Sequence, residues 1–247
     1  MKFNAFTLAE VLITLAIIGV VAAITMPTLI SKYREKSFVV AAKKNYSVLN
    51  NALNKWNAEN DSIGDPTFFW LANNSNFSTV QTLAKELNAI KVCDVSDLRK
   101  CGGTYVVMQY KRINDGRGNT TQENWVSHFP RVVLADGAFV VVSREAARSG
   151  SCEVVEWNNV KENGMFVPDD SSPTGYKGFY YTNTVCGRIA FDTNGLKGPN
   201  QIGVDIFEIA YYLNGKVGAS SDGWGNINYV LTNDKLIKTE KYTPGKF

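Results

Sequence analysis

Histidine is nearly missing from this chain: His128 is the only one in 247 residues. That excludes a metal centre built on imidazoles, and it leaves imidazole acid–base chemistry to one residue in the loop-like context Val126-Ser127-His128-Phe129-Pro130. Cysteine is scarce too, with four residues and no Cys-x-x-Cys pair, so the spacing of a thiolate zinc site is absent. No serine sits in a nucleophile elbow, and Gly116-Arg117-Gly118 is too short to cradle a phosphate. Asp61 and Asp65 flank Ser62-Ile63-Gly64 and precede Pro66, which reads as a helix stop rather than a catalytic carboxylate pair. A formal charge of +3 is too small to argue for nucleic acid as a partner. No internal repeat is evident. The chain is therefore predicted not to be an enzyme.

What is present is one long apolar run, Phe6 to Ile30, with Glu10 as its only charged residue. A helix of that length crosses a hydrocarbon core of roughly 30 Å, and no polar face interrupts it. A carboxylate one turn into such a segment is costly and marks function. In front of it stand only Met1 to Ala5, with Lys2 as the charged side chain.

A short basic leader, a small residue, then Phe6-Thr7-Leu8-Ala9-Glu10 and a long apolar helix resembles the N-terminal signature of type IV pilins and type II secretion pseudopilins. The resemblance covers roughly the first 55 residues. The family usually has Gly before the Phe, and this chain has Ala5. The resemblance implies that a prepilin peptidase and methyltransferase cuts between Ala5 and Phe6 and methylates the new amine of Phe6. It implies a single-pass precursor in the bacterial cytoplasmic membrane with its head outside the cytoplasm. It further implies assembly through the helix with copies of itself or related pilins, the helix exchanging membrane lipid for neighbouring helices. In that step Glu10 would pair with the Phe6 amine of the next subunit.

Three other readings compete. A secretory signal peptide would use Val11 to Val20 as its apolar region and cut after Val21-Ala22-Ala23, although Glu10 interrupts the approach to that region. A monomeric anchored surface protein would use the helix only to hold a ligand-binding head. A DNA-uptake pilin would need a basic, aromatic surface, for which Lys235, Lys238, Lys241 and Lys246 are the available cations; a solvated charge run is the simpler account of them.

Inside the run, Pro27 removes one amide hydrogen bond and is expected to kink or loosen the helix, and beyond it Lys32, Arg34, Glu35 and Lys36 mark the exit from the bilayer. Residues 31–60 continue as an amphipathic helix, with Phe38, Ala42, Tyr46, Leu49, Leu53 and Trp56 as the apolar stripe. The rest, 61–247, is read as an exported globular head. A second helix is expected from a capping box at Ser78 and Gln81. Strands follow at Thr104 to Lys111, at Arg131 to Ala135 and Ala138 to Ser143 around the hairpin turn Asp136-Gly137, and at Ile206 to Leu213 before Asn214-Gly215. Ile113 to Glu123 and Asp169 to Gly178 read as loops, and the tail from Lys235 as loosely held. One long helix followed by a strand-rich head predicts an α+β fold with an antiparallel sheet laid against the helix.

An even number of cysteines in an exported head predicts two disulfides, most simply Cys93–Cys101 and Cys152–Cys186. The sharpest motif in the head runs from Asp192 to Asp205. There Asp192, Asn194, Asn200 and Asp205 offer side-chain oxygens around glycines, as a calcium loop requires, without the spacing of an EF-hand. The competing account is a structural turn whose Asx side chains bond to local amides. Calcium is the one cofactor this motif suggests.

Overall fold

The computed structural model describes residues 7–63, 75–103, 107–109, 121–123, 129–143, 154–162, 165–183, 185–219 and 225–237. It opens with helix α1, Leu8–Glu59, which runs without a break through Pro27. Proline costs that helix the bond its amide would have made to the carbonyl four residues back, and not the helix itself. The helix ends where the side-chain amide of Asn60 donates to the Trp56 carbonyl (2.8 Å) and Asp61 turns to φ +51°.

The two halves of α1 differ in burial. From Leu8 to Ile30 every residue but Ala22 is exposed, whereas Val39, Ala42, Asn45, Leu49, Ala52, Leu53, Trp56 and Asn57 are buried. Of the expected stripe, Ala42, Leu49, Leu53 and Trp56 are buried, while Phe38 and Tyr46 are partly buried and pack against the core. The true stripe is rotated because two asparagines share it. Asn45 donates to the Ala41 carbonyl (2.9 Å), and the Asn57 amide donates to the Tyr211 hydroxyl. Both are therefore admissible in a core, since a buried amide is costly only when unpaired.

Helix α2, Asn76–Glu86, is capped by Ser75 and not by Ser78. The Ser75 hydroxyl accepts from the Ser78 amide (3.0 Å), while the Ser78 hydroxyl turns back to the Ser75 carbonyl (2.9 Å). The expected box at Ser78 and Gln81 thus lies one turn inside the helix. Strand β1, Lys91–Cys93, and a 3-10 helix, Val95–Cys101, follow, closed by the Cys93–Cys101 disulfide. Strand β2, Val107–Gln109, pairs with β3, Thr121–Glu123, so the end of the expected loop Ile113 to Glu123 is a strand.

The chain continues with β4, Arg131–Val133, and β5, Phe139–Ser143, joined at Asp136-Gly137 as the motif requires. Gly137 has φ +88°, and the Asp136 carboxylate accepts from the Ala138 amide (3.1 Å). Next come β6, Val154–Asn159, β7, Lys161–Glu162, β8, Met165–Phe166, and β9, Gly178–Asn183, with β6 on β9 and β7 on β8. Strand β10, Val185–Asp192, was not foreseen, yet all of it is buried. Strand β11, Ile206–Tyr212, turns at Asn214-Gly215 into β12, Val217–Ala219, and α3, Ile227–Asn233, was likewise not foreseen.

One antiparallel sheet unites the head in the order β1-β4-β5-β10-β11-β12. Its strands alternate, so successive residues serve opposite faces. Val132, Val140, Val142, Ile189, Phe191, Phe207, Ile209 and Tyr211 meet the second half of α1 together with α2 and α3. The other face carries Val133, Phe139, Val141, Ala190 and Ile206, covered by the disulfide loop and Ile202. The fold is α+β, one long N-terminal helix on a six-stranded antiparallel sheet, as expected.

Candidate functional site

Three places account for the residues singled out by sequence. The first is the start of α1. Thr7 is its N-cap, and with Glu10 it forms a reciprocal capping box. The Thr7 amide and hydroxyl both donate to Glu10 Oε2 (2.8 Å each), and the Glu10 amide donates to Thr7 Oγ1 (3.2 Å). The carboxylate at position 10 is thus held at the helix mouth by its own chain, with its charge at the favourable end of the helix dipole. The pattern Thr-x-x-Glu was the signal for this box, and sequence reading attached a role only to Glu10. Ala5 and Phe6 lie outside the described residues.

Behind that box, Leu12, Leu15, Ile18, Ile24 and Leu29 are each at least half exposed. The helix is long and apolar enough to cross a membrane, and no residue of its most apolar window is buried in the head. So extended an uncovered apolar surface requires lipid or other chains around it.

The second place is the joint between α1 and the head. Lys43 pairs with Asp234 after α3 (2.9 Å), Lys44 with Asp136 in the β4–β5 turn (2.6 Å), and Lys55 with Glu86 at the end of α2 (2.9 Å). Burial alone would raise the Asp136 carboxyl, but Lys44 and the Ala138 amide hold it below its ordinary value. These half-exposed pairs contribute little each, yet they fix which part of the helix belongs to the head. Sequence reading placed Lys43 and Lys44 between the stripe residues and missed their partners, which lie far along the chain.

The third place is the loop between β10 and β11. Asp192 and Asp205 are both buried. Asp192 Oδ1 accepts from the amides of Asn194 (3.0 Å) and Gly195 (2.9 Å). Asp205 accepts from the amides of Asn200 (2.9 Å) and Gln201 (2.6 Å), and the Asn194 side chain also reaches it. Burial still pushes the Asp205 carboxyl up to about 7 against those hydrogen bonds. The fold brings Asp192, Asn194, Asn200 and Asp205 together.

That loop also locks its neighbours. Gly195 (φ +67°) lies so close to the β4–β5 turn that a Cβ there would sit 2.3 Å from the Gly137 carbonyl oxygen. Leu196 packs on Gly102 beside the disulfide loop, where a Cβ would come within 2.7 Å of its Cδ1. Across the same sheet face, Arg188 and Glu208 form a buried ion pair (2.9 Å), and Arg131 lies over the Phe139 ring (5.3 Å to its centre).

Of the cysteines, Cys93 and Cys101 are joined, and Cys186 is buried and disulfide-bonded, while Cys152, its expected partner, lies outside the described residues. So do His128, Lys238, Lys241 and Lys246. Lys235 follows α3 and is exposed.

Neither the curated proteins nor the solved structures include a match to this chain. Residues 1–26 do match the family model for the prokaryotic N-terminal methylation motif. The motif ends within the uncovered half of α1, and Glu10 and its Thr7 cap lie inside it. The chain thus carries the prepilin-type signature of type IV pilins and pseudopilins.

Proposed function

We propose that this chain is a structural subunit of a type IV pilus-like filament or a type II secretion pseudopilus. The observation that carries the reading is the division of α1: a methylation-motif helix, bare from Leu8 to Ile30, fused to a half that is built into the head. The precursor would sit in the cytoplasmic membrane with residues 1–5 inside, 6–30 spanning, and the remainder outside. A prepilin peptidase would cut between Ala5 and Phe6, and the freed amine would be methylated. The bare half would then leave lipid and pack among the same helices of neighbouring subunits, which replaces one apolar environment by another. In that setting a carboxylate needs a cationic partner, and the Phe6 amine of the next subunit supplies it to Glu10. The head would remain outside as the exposed body of the filament.

Mass spectrometry of the protein extracted from membranes tests this directly. The expected mature chain begins at N-methylated Phe6. A chain beginning at Ile24 would make the segment a secretory signal peptide and overturn the proposal, and one beginning at Met1 would favour a permanently anchored, monomeric surface protein.

A further inference from the structure

We propose that Lys32 and Lys36, with Tyr33 beside them, form a collar on α1 that binds the phosphate groups of anionic phospholipid at the outer surface of the membrane. This rests on the membrane-anchored reading of α1, with the head outside, and not on later assembly into a filament.

The helix sets the height of the collar. From Glu10 to Ile30 it rises about 30 Å at ~1.5 Å per residue, the thickness of one hydrocarbon core. With Ile30 at the outer edge of the hydrocarbon, Glu10 and its Thr7 cap lie at the inner edge. Lys32 and Lys36 follow about 3 and 9 Å beyond Ile30 along the axis, and the headgroup layer is about 5–8 Å deep on each side. Long lysine side chains reach back into that layer. Residues four apart share a helix face, so the two lysines lie on one side of α1. Tyr33 is next to them and 75% exposed, an apolar ring with a polar tip at the depth where such rings settle in membranes.

Pairing separates these two lysines from those farther along the helix. Lys43, Lys44 and Lys55 are each bonded to a carboxylate of the head. Among the described residues no ion pair joins Lys32 or Lys36, both exposed, to a carboxylate, not even to Glu35 between them. Lys36 bears on Asp234 across space, but Lys43 holds that carboxylate.

Flanking cations normally stay on the cytoplasmic side of a span. Here the exit side carries Lys32, Arg34 and Lys36, and the leader only Lys2 besides the amino terminus. Lysines kept on the unfavoured side without a carboxylate of their own need an anion from outside the chain. Lipid phosphates are the anions at that depth. The carboxylates of a neighbouring subunit are the other source, but they give no reason for cations and an exposed tyrosine directly at the end of the apolar run. Lysines held by outer phosphates would also fix the register of α1, stopping it from sinking inward and keeping Glu10 at the inner boundary before assembly.

The test uses the full-length chain in phosphatidylcholine vesicles that carry a trace of spin-labelled phosphatidylglycerol or spin-labelled phosphatidylcholine. Electron spin resonance reads the motionally restricted lipid at the protein surface. That population should favour phosphatidylglycerol severalfold over phosphatidylcholine, and about 1 M salt should remove most of the preference. Lys32→Gln/Lys36→Gln should lower the preference severalfold. Lys85→Gln/Lys216→Gln, which removes the same charge from exposed positions of the head, should leave it unchanged. Equal restriction of the two lipids would overturn the collar and leave the anchor standing. Depletion of Lys32→Gln/Lys36→Gln from sheared filaments in that case would give the lysines to a neighbouring subunit. A preference that survives Lys32→Gln/Lys36→Gln intact would overturn the collar by placing it elsewhere on the chain. No restricted lipid of either kind would overturn the anchored reading and the collar with it.

Discussion

The two halves of α1 are one continuous helix in geometry and two different objects in physics. Leu15 is 60% exposed and Leu53 1% exposed, although both are leucines well inside the same helix. Nothing in the local backbone distinguishes them. What distinguishes them is the company each keeps: Leu53 belongs to the core that the second half of α1 shares with the sheet, α2 and α3, and among the described residues Leu15 lies outside that core. The contrast teaches that apolarity along this helix serves two ends. In the second half it builds the head, and in the first half it is held in reserve for an environment outside the monomer.

That contrast makes the largest prediction. Leu53→Ala should destabilise the head by about 2–5 kcal/mol, through lost transfer energy and the cavity left behind. Leu15→Ala should leave head stability unchanged to within about 0.5 kcal/mol. Thermal melting of both variants in detergent, followed in the near-ultraviolet, checks the pair. Equal losses would mean that the bare half folds back onto the head.

The next effect concerns the sheet face away from the helix. Replacing both Cys93 and Cys101, eight residues apart, by serine opens a loop that covers Val133, Phe139 and Val141. Loss of its closure should cost about 2–3 kcal/mol on a chain-entropy argument, read as a lower denaturation midpoint under non-reducing conditions.

Smaller is the polar contact inside the covered stripe. Tyr211→Phe deprives the buried Asn57 amide of the acceptor it uses on β11, and should cost about 1–3 kcal/mol because the amide stays desolvated. A variant as stable as the parent would show that Asn57 is tolerated for some other reason.

The smallest effect is the Lys44–Asp136 pair, exposed enough that about 0.2–1 kcal/mol is the most it should give. Its sign is definite. Asp136 has a lowered folded-state pKa, so its contribution is present above the ordinary aspartate range and is lost as pH falls through the folded value. Lys44→Met should therefore lower stability at neutral pH by no more than that amount, flatten the acid limb of the stability curve, and change little once Asp136 is protonated.

How legible all this was from sequence varies with the distance over which each feature is decided. The anchor, the Asp136-Gly137 and Asn214-Gly215 turns and the grouping of Asp192 to Asp205 are local patterns, readable from adjacent residues. The rotation of the helical stripe was not readable, because Asn45 and Asn57 look like solvent-facing residues until Tyr211, far along the chain, supplies a partner. Strand β10 escaped notice because burial on both faces erases alternation, and Arg188 within it looks like a surface residue until Glu208 neutralises it. The cap at Ser75 rather than Ser78 shows the same limit on a smaller scale, two serines competing for one helix start.

The central claim is that the bare half of α1 is an assembly surface whose one charge recruits a neighbour, and Glu10→Gln tests it most directly. Glutamine retains an oxygen to accept from Thr7, so the helix cap survives while the charge is removed. Filaments sheared from cells are compared by immunoblot with the membrane pool, with mass spectrometry of the N-terminus as the control for processing. The account predicts a variant that is inserted and cleaved at Phe6 like the parent but is depleted severalfold from the sheared fraction. Parental amounts of processed Glu10→Gln in filaments would contradict it.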